Sequence, residues 1–116
     1  MSDAYEISKK NKVRQLREKA AYDRDVVHGV LDAGLIAHVA FVQNGEPVVV
    51  PMLYGREGET LFLHGARKAR IIRLLESTGT ACVNVTHVDG LVYARSAFNS
   101  SMRYRSATVF GPARLV

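Results

Sequence analysis

The stretch TLFLHGARKARIIRLL, Thr60–Leu75, changes its period halfway along. Leu61 and Leu63 alternate with polar or outward positions, as in a half-buried strand. Ile71, Ile72, Leu74 and Leu75 recur at helical spacing. Between them lies His64-Gly65-Ala66-Arg67-Lys68-Ala69-Arg70, which predicts a strand running through a small-residue turn into a helix from Ala66 to Glu76. The first turn of a helix has free backbone N–H groups and a partial positive charge, so it favours anions. Arg67, Lys68 and Arg70 make this turn the best phosphate site in the chain. A solvated basic helix face accounts for the same run of charges equally well.

Strand patterns surround this stretch. Leu35–Val42 leads through Asn44-Gly45, a strong hairpin signal, into Pro47–Tyr54. Arg56–Glu59 is read as a second turn, before Leu61–His64. After the crossover helix, Thr78-Gly79 breaks the chain ahead of Ala81–Val88. Asp89-Gly90 then predicts a turn into Leu91–Phe98, Asn99–Met102 a polar loop, and Tyr104–Val116 a last strand. Upstream, Asp23 is placed to cap a short helix carrying Val26, Val27, Val30 and Leu31, with Gly34 as its stop signal. About six strands and one or two short helices, without βαβ repeats or a GxGxxG motif, argue for a mainly β, small antiparallel barrel.

Pro51 interrupts the second strand. It cannot donate to a ladder, so the strand is expected to bulge there or lie at an edge. Backbone groups at Val50, Met52 and Leu53 would then be free for a planar polar ligand, although a bulge without a ligand explains the proline as well.

A chain of 116 residues, 47% of them hydrophobic, supports one folded domain. Its lone cysteine, Cys82, excludes an intrachain disulfide, and no apolar run approaches membrane-spanning length. With no signal-peptide pattern, a cytoplasmic location is expected. The net charge of +5 favours an anionic partner, but seven of the sixteen basic residues fall within the first 24 positions. The charge is therefore weak support for nucleic acid. Residues 1–21 read as a basic arm, either packing across a partner subunit or disordered, and 22–116 as the folded domain.

Self-sufficient catalytic sets are missing from the pattern. His28, His38, His64 and His87 have no ligand-spaced partners, so no metal is expected. The serines have no evident base, and Cys82 has no cationic neighbour in sequence. Arg95 and Arg105 stand among alternating apolar residues, so each is expected to meet an anionic ligand or a carboxylate, although a solvent-facing side of the sheet explains the pattern equally well. An anion cradle without a catalytic set suits chemistry carried by a phosphorylated cofactor.

Several segments recur together in one family. These are Tyr22-Asp23-Arg24, Val50-Pro51-Met52-Leu53-Tyr54, Leu63-His64-Gly65 before Arg70, Gly90–Phe98, and Tyr104-Arg105-Ser106 leading to Phe110-Gly111. In this order they resemble the pyridoxamine 5′-phosphate oxidase-related flavin-binding proteins, nearest the nitroimidazole-resistance branch. The resemblance spans roughly residues 14–116. It implies an antiparallel split β-barrel of Greek-key type, forming a homodimer that binds FMN at its interface. It also implies that Arg67, Lys68 and Arg70 hold the phosphate, and that the flavin ring lies along Val50–Tyr54. His64 and Gly65 would line the flavin site, Ser106 would contact the cofactor, and Arg95 and Tyr104 would complete the set. Relatives continue with a further helix and strands, so a C-terminal segment is expected to be lacking here.

The leading expectation is an FMN-dependent oxidoreductase, reductase- or nitroreductase-like, with a small-molecule electron donor and acceptor. A non-catalytic FMN-binding protein and a haem- or deazaflavin-binding barrel are the alternatives. A nucleic-acid-binding module is disfavoured for lack of an exposed aromatic platform, and no membrane partner is expected.

Overall fold

The computed structural model describes residues 3–14, 20–65, 70–92 and 101–116. They form a mainly β fold with helix α1 at Arg24–Asp32, strands β1 Ile36–Gln43, β2 Glu46–Glu57 and β3 Thr60–His64, helix α2 at Arg70–Thr78, and strands β4 Thr80–Val92 and β5 Ser101–Pro112. The five strands make one antiparallel sheet in the order β3-β2-β1-β4-β5, which does not close on itself, as in a split barrel.

Strand alternation decides the core. Ala37, Val39 and Phe41 of central strand β1 point to one face, joined by Met52 and Tyr54 of β2, Val83 and Val85 of β4, and Ala107 of β5. Val30 and Leu31 from α1 and Leu75 from α2 pack onto the same face. Each buried Val, Leu, Met or Phe side chain among them contributes roughly 1.5–3 kcal/mol on leaving water, before the chain entropy that opposes it.

The first hairpin forms as its turn residues require. Asn44 and Gly45 have φ of 51° and 78°, the pair of left-handed conformations that a type I′ turn demands. Gln43↔Glu46 then flanks the turn and the register runs unbroken to Ile36↔Leu53. In an antiparallel ladder hydrogen-bonded and non-bonded pairs alternate. Counting from the turn, Val42↔Pro47 and His38↔Pro51 are non-bonded pairs. Both prolines therefore aim their nitrogen away from β1, along the part of β2 that β3 does not cover, since β3 pairs only with Leu53–Glu57. The edge expectation for Pro51 holds without a bulge.

The second hairpin turns inside the expected Arg56–Glu59, at Gly58-Glu59, with Arg56 and Glu57 still in β2. Asp89-Gly90 does not turn at all. β4 continues to Val92, and its register with β5 shifts between Val88 and Gly90, so the dipeptide is a bulge. The bulge leaves Asp89 without a cross-strand partner, and its carboxylate instead takes two bonds from Arg105, at 2.9 and 3.1 Å. Of the expected strand Leu91–Phe98, Leu91 and Val92 thus belong to β4, and 93–98 lie outside the described residues; Ser101 and Met102, expected in a loop, begin β5.

Helix α1 buries Val30 and Leu31 and leaves Val26 exposed, a narrower apolar face than expected. Asp23 is its N-cap by position but makes no side-chain capping bond. Its last carbonyls are satisfied from the sheet: Tyr54 donates its hydroxyl to the Leu31 carbonyl, and His87 Nε2 lies 2.8 Å from the Val30 oxygen. Gly34 follows here for lack of space rather than for a left-handed turn. A Cβ on it would stand 2.7 Å from the Tyr54 hydroxyl and 2.8 Å from His87 Cε1.

Candidate functional site

With α1 and α2 on one face of the sheet, the other face carries no helix among the described residues. Cross-strand partners project to the same side, so the registers identify this face row by row. It carries Phe62 and His64 of β3, Val49, Pro51 and Leu53 of β2, and Ile36, His38, Ala40 and Val42 of β1. It continues with Cys82, Asn84, Thr86 and Val88 of β4, and Tyr104, Ser106, Thr108 and Phe110 of β5. Large apolar side chains are well exposed across it: Val49 at 61%, Val88 at 59% and Leu53 at 48%. A contiguous apolar surface of this kind marks a binding surface rather than a solvated one.

A polar ladder crosses this apolar ground. Asn84 Nδ2 donates to Ser106 Oγ at 3.0 Å and to Thr108 Oγ1 at 2.9 Å. Thr86 Oγ1 donates to Asn84 Oδ1 at 2.7 Å and lies 2.9 Å from Ser106 Oγ. Since the Thr86 proton is committed to Asn84, Ser106 is the donor to Thr86. Four small polar groups are thereby fixed in one orientation, with spare lone pairs for a ligand. Only Ser106 was singled out from sequence. Asn84 and Thr86 were legible as polar residues at every second position in Cys82-Val83-Asn84-Val85-Thr86, and Thr108 as the polar residue two positions after Ser106.

The sheet divides the remaining sequence-derived candidates. Pro51, Leu53, His64, Tyr104 and Ser106 share the open face. Met52 and Tyr54 are buried on the opposite side, and Val50 packs against the core there. Between Val50 and Tyr54 it is therefore Pro51 and Leu53 that meet the open side, together with the strand's uncovered backbone edge. Gly65 follows β3 where Ile72 Cδ1 and Met52 Cε would lie 3.1 and 3.3 Å from a Cβ, a tight fit to which those side-chain ends would have to give way. Arg70 opens α2, while Arg67, Lys68 and Arg95 lie outside the described residues.

Distance separates two of the candidates on the shared face. His64 pairs with Leu53, Leu53 with Ile36, and Thr86 with Ser106. Continuing the His38↔Asn84 register by two residues sets Ile36 level with Thr86. His64 and Ser106 thus occupy one row but stand four strand spacings apart, roughly 19 Å along the sheet.

Charge on the sheet is paired locally. Arg105 answers the expectation of a carboxylate partner through Asp89, whose carboxyl is held below its usual range by those bonds. Arg56 makes a two-pronged bond to Asp32 at 2.7 and 2.6 Å, tying β2 to the end of α1. Among the described residues no group of three or more His, Cys, Asp or Glu is placed to hold a metal ion. No helix among them is long and apolar enough to cross a membrane.

The family described as Pyridoxamine 5'-phosphate oxidase matches residues 23–116. Among solved structures, the flavocytochrome Anf3 from Azotobacter vinelandii is 38% identical with a TM-score of 0.84, over 94% of this chain and 50% of that one. The FAD and heme binding protein from Mycobacterium smegmatis is 42% identical with a TM-score of 0.75, over 81% of this chain and 46% of that one. The chain spans about half the length of these solved relatives. The curated proteins compared give no match.

Proposed function

The chain belongs to the pyridoxamine 5′-phosphate oxidase family, and from that premise we propose that it is an FMN-binding protein acting as a flavin-dependent oxidoreductase of reductase or nitroreductase type. The open sheet face carries this reading. It gathers Pro51, Leu53, His64, Tyr104 and Ser106 on one side of the sheet, an apolar floor crossed by an ordered polar ladder. Such a surface fits a flat ring system with a polar edge. Leu53 and its neighbours exclude water from one side of it, and Ser106 and Asn84 offer hydrogen bonds. The uncovered edge of β2 offers the Val49 N–H and the Pro51 carbonyl. Arg67, Lys68 and Arg70 would neutralise the phosphate. A bound flavin would supply the transfer of one or two electrons between a small-molecule donor and acceptor.

We further propose a cytoplasmic homodimer with the cofactor between subunits, the dimer being suggested by the same face. His64 and Ser106 lie too far apart along one sheet for a single ring to bridge. A second copy laid face to face would bring the β3 side of one protomer toward the β5 side of the other and cover the apolar surface.

The test is an absorbance spectrum of the purified protein with and without added FMN. Two flavin bands displaced from those of free FMN are expected. A protein that leaves the spectrum of added FMN unchanged would refute the reading. Arg67→Ala combined with Lys68→Ala is expected to weaken FMN binding at least tenfold, the order set by losing charge-assisted bonds to phosphate.

Haem is the second reading. His38 and His64 both stand exposed on the open face, and both solved relatives are haem proteins by description. A Soret band on titration with hemin, abolished by His38→Ala or His64→Ala, would favour it.

A further inference from the structure

The N-terminal segment is fastened to the domain first at residues 3–5. Ala4 bridges Asp23, Tyr5 N donates to the Tyr22 carbonyl at 2.8 Å, and Arg24 N donates to the Asp3 carbonyl at 2.9 Å. Beyond this short pairing, the Tyr5 hydroxyl donates to Glu59 Oε2 at 2.8 Å and lies 3.0 Å from His28 Nε2. Glu59 also faces His28 Nε2 at 3.1 Å and Arg24 Nε at 3.3 Å. The Arg24 guanidinium in turn lies 4.5 Å from the Tyr5 ring centre. The phenol has one proton and gives it to Glu59, so His28 Nε2 is the protonated nitrogen in this cluster. Glu59 is therefore a hub joining the arm, α1 and the β2–β3 turn.

Past this hub the segment closes a turn of its own. Lys12 N donates to the Ser8 carbonyl at 3.0 Å, and Ser8 N to Asn11 Oδ1 at 2.7 Å. Tyr22 clamps the far side, its hydroxyl donating to the Asn11 carbonyl at 3.2 Å and accepting from Val13 N at 2.9 Å. The turn delivers Lys10 to the open face, where its Nζ stands 4.4 Å from the ring centre of Phe110. Phe110 pairs with Cys82, so Lys10 lies at the corner of the face that holds the lone thiol.

We propose that residues 3–13 are a strap, fastened by the Glu59 hub, that covers the Cys82–Phe110 corner of the open face and limits access to it. Its importance for ligand or subunit binding rests on the reading of that face given above, but its existence does not. The strap is built from contacts of opposite kinds: a charged hub that holds the segment, and one cation–ring contact that places it.

Cys82 is a reporter at the covered corner, so the test needs no flavin. Alkylation of Cys82 by a small neutral maleimide and hydrogen exchange at the Tyr5 and Val13 amides are measured in the wild type, Glu59→Gln, Tyr5→Phe and Lys10→Ala. The hub variants should raise both amide exchange and Cys82 labelling roughly tenfold, the factor for losing one charge-assisted hydrogen bond, with β1 amides still protected. Lys10→Ala should raise Cys82 labelling while Tyr5 stays protected. Unchanged arm exchange in both hub variants overturns the proposal, as does Cys82 labelling that no variant alters. Should a hub variant lose β1 protection, the surface variant Lys10→Ala decides alone. A strap that behaves as described in a protein that binds no flavin would refute the cofactor reading and leave the strap standing.

Discussion

Gly34, Tyr54 and His87 meet at the end of α1, and each is fixed by the other two. Tyr54→Phe removes the hydroxyl donor to the Leu31 carbonyl, which keeps only the 3.4 Å bond from Gly34 N, a loss of about 0.5–1.5 kcal/mol. Gly34→Ala forces a methyl to 2.7 Å from the same hydroxyl and should cost about 1–3 kcal/mol by overpacking. Because the hydroxyl is the nearest clash, the double variant should lose less than the sum, which urea unfolding of all four proteins would measure. At Glu59, the hydrogen bond from Tyr5, then the charges of His28 and Arg24, hold the carboxyl below its usual range, while burial and Glu59 push the Tyr5 phenol up to about 12. A carboxyl with a lowered folded value stabilises the fold above its unfolded value. That contribution is lost as pH falls through the folded one. Glu59→Gln should therefore flatten the acid limb of the stability curve below about pH 4.3, where an unperturbed glutamate titrates, and leave its shape near neutrality unaltered. Single residues were legible in unequal degree. Arg105 announced its need for an anion, but Asp89 was identifiable only once the bulge set it alongside.

Strand β2 carries the argument at the scale of the element. Its prolines sit where the nitrogen faces the free edge, so Pro51→Val should change stability by no more than about 0.5 kcal/mol. Val50 stands in the alternate, hydrogen-bonded pair with Val39, and Val50→Pro should cost about 3 kcal/mol or more. Thermal unfolding of the two variants checks the register directly: a Val50→Pro variant as stable as the wild type would mean that the pairing is displaced by one residue. The Asn44-Gly45 hairpin, the Thr78-Gly79 break and the short helix before Gly34 were all readable, because turn chemistry and period act over a few residues. Gly79 has a φ of 72° and its N–H closes on the Leu75 carbonyl, as a helix stop requires. Asp89-Gly90 misled because the same dipeptide suits a turn and a bulge alike, and only the partner strand chooses between them.

At the scale of the whole molecule, one covered and one open face make the sheet a half-finished sandwich. If a second copy completes it, sedimentation should show a dimer that dissociates on dilution. Leu53→Lys, at the centre of the open β2 segment, should shift the chain to monomer without altering its far-UV circular dichroism. A wild-type protein that stays monomeric at every concentration would exclude this arrangement. The arm belongs to the same scale. From sequence it was a basic segment with two readings, whereas in the structure Tyr5 and Lys10 connect it to residues more than fifty and ninety-nine positions away respectively, Glu59 and Phe110.

The sequence by itself determined the fold class, the two helices, the strands as far as Val88, the first hairpin and the family, since period, turn residues and ordered motifs are local or linear signals. Tertiary structure decided which side of each strand is open. Both parities of β1 and β2 are rich in apolar residues, so alternation there could not say which set meets the helices. It also decided that Met52 and Tyr54 turn inward while Pro51 and Leu53 turn outward, and that Asn84, Thr86, Ser106 and Thr108 form one ladder. These are consequences of register, and register is fixed by contacts between strands far apart in the chain, where a shift of one residue exchanges the two faces.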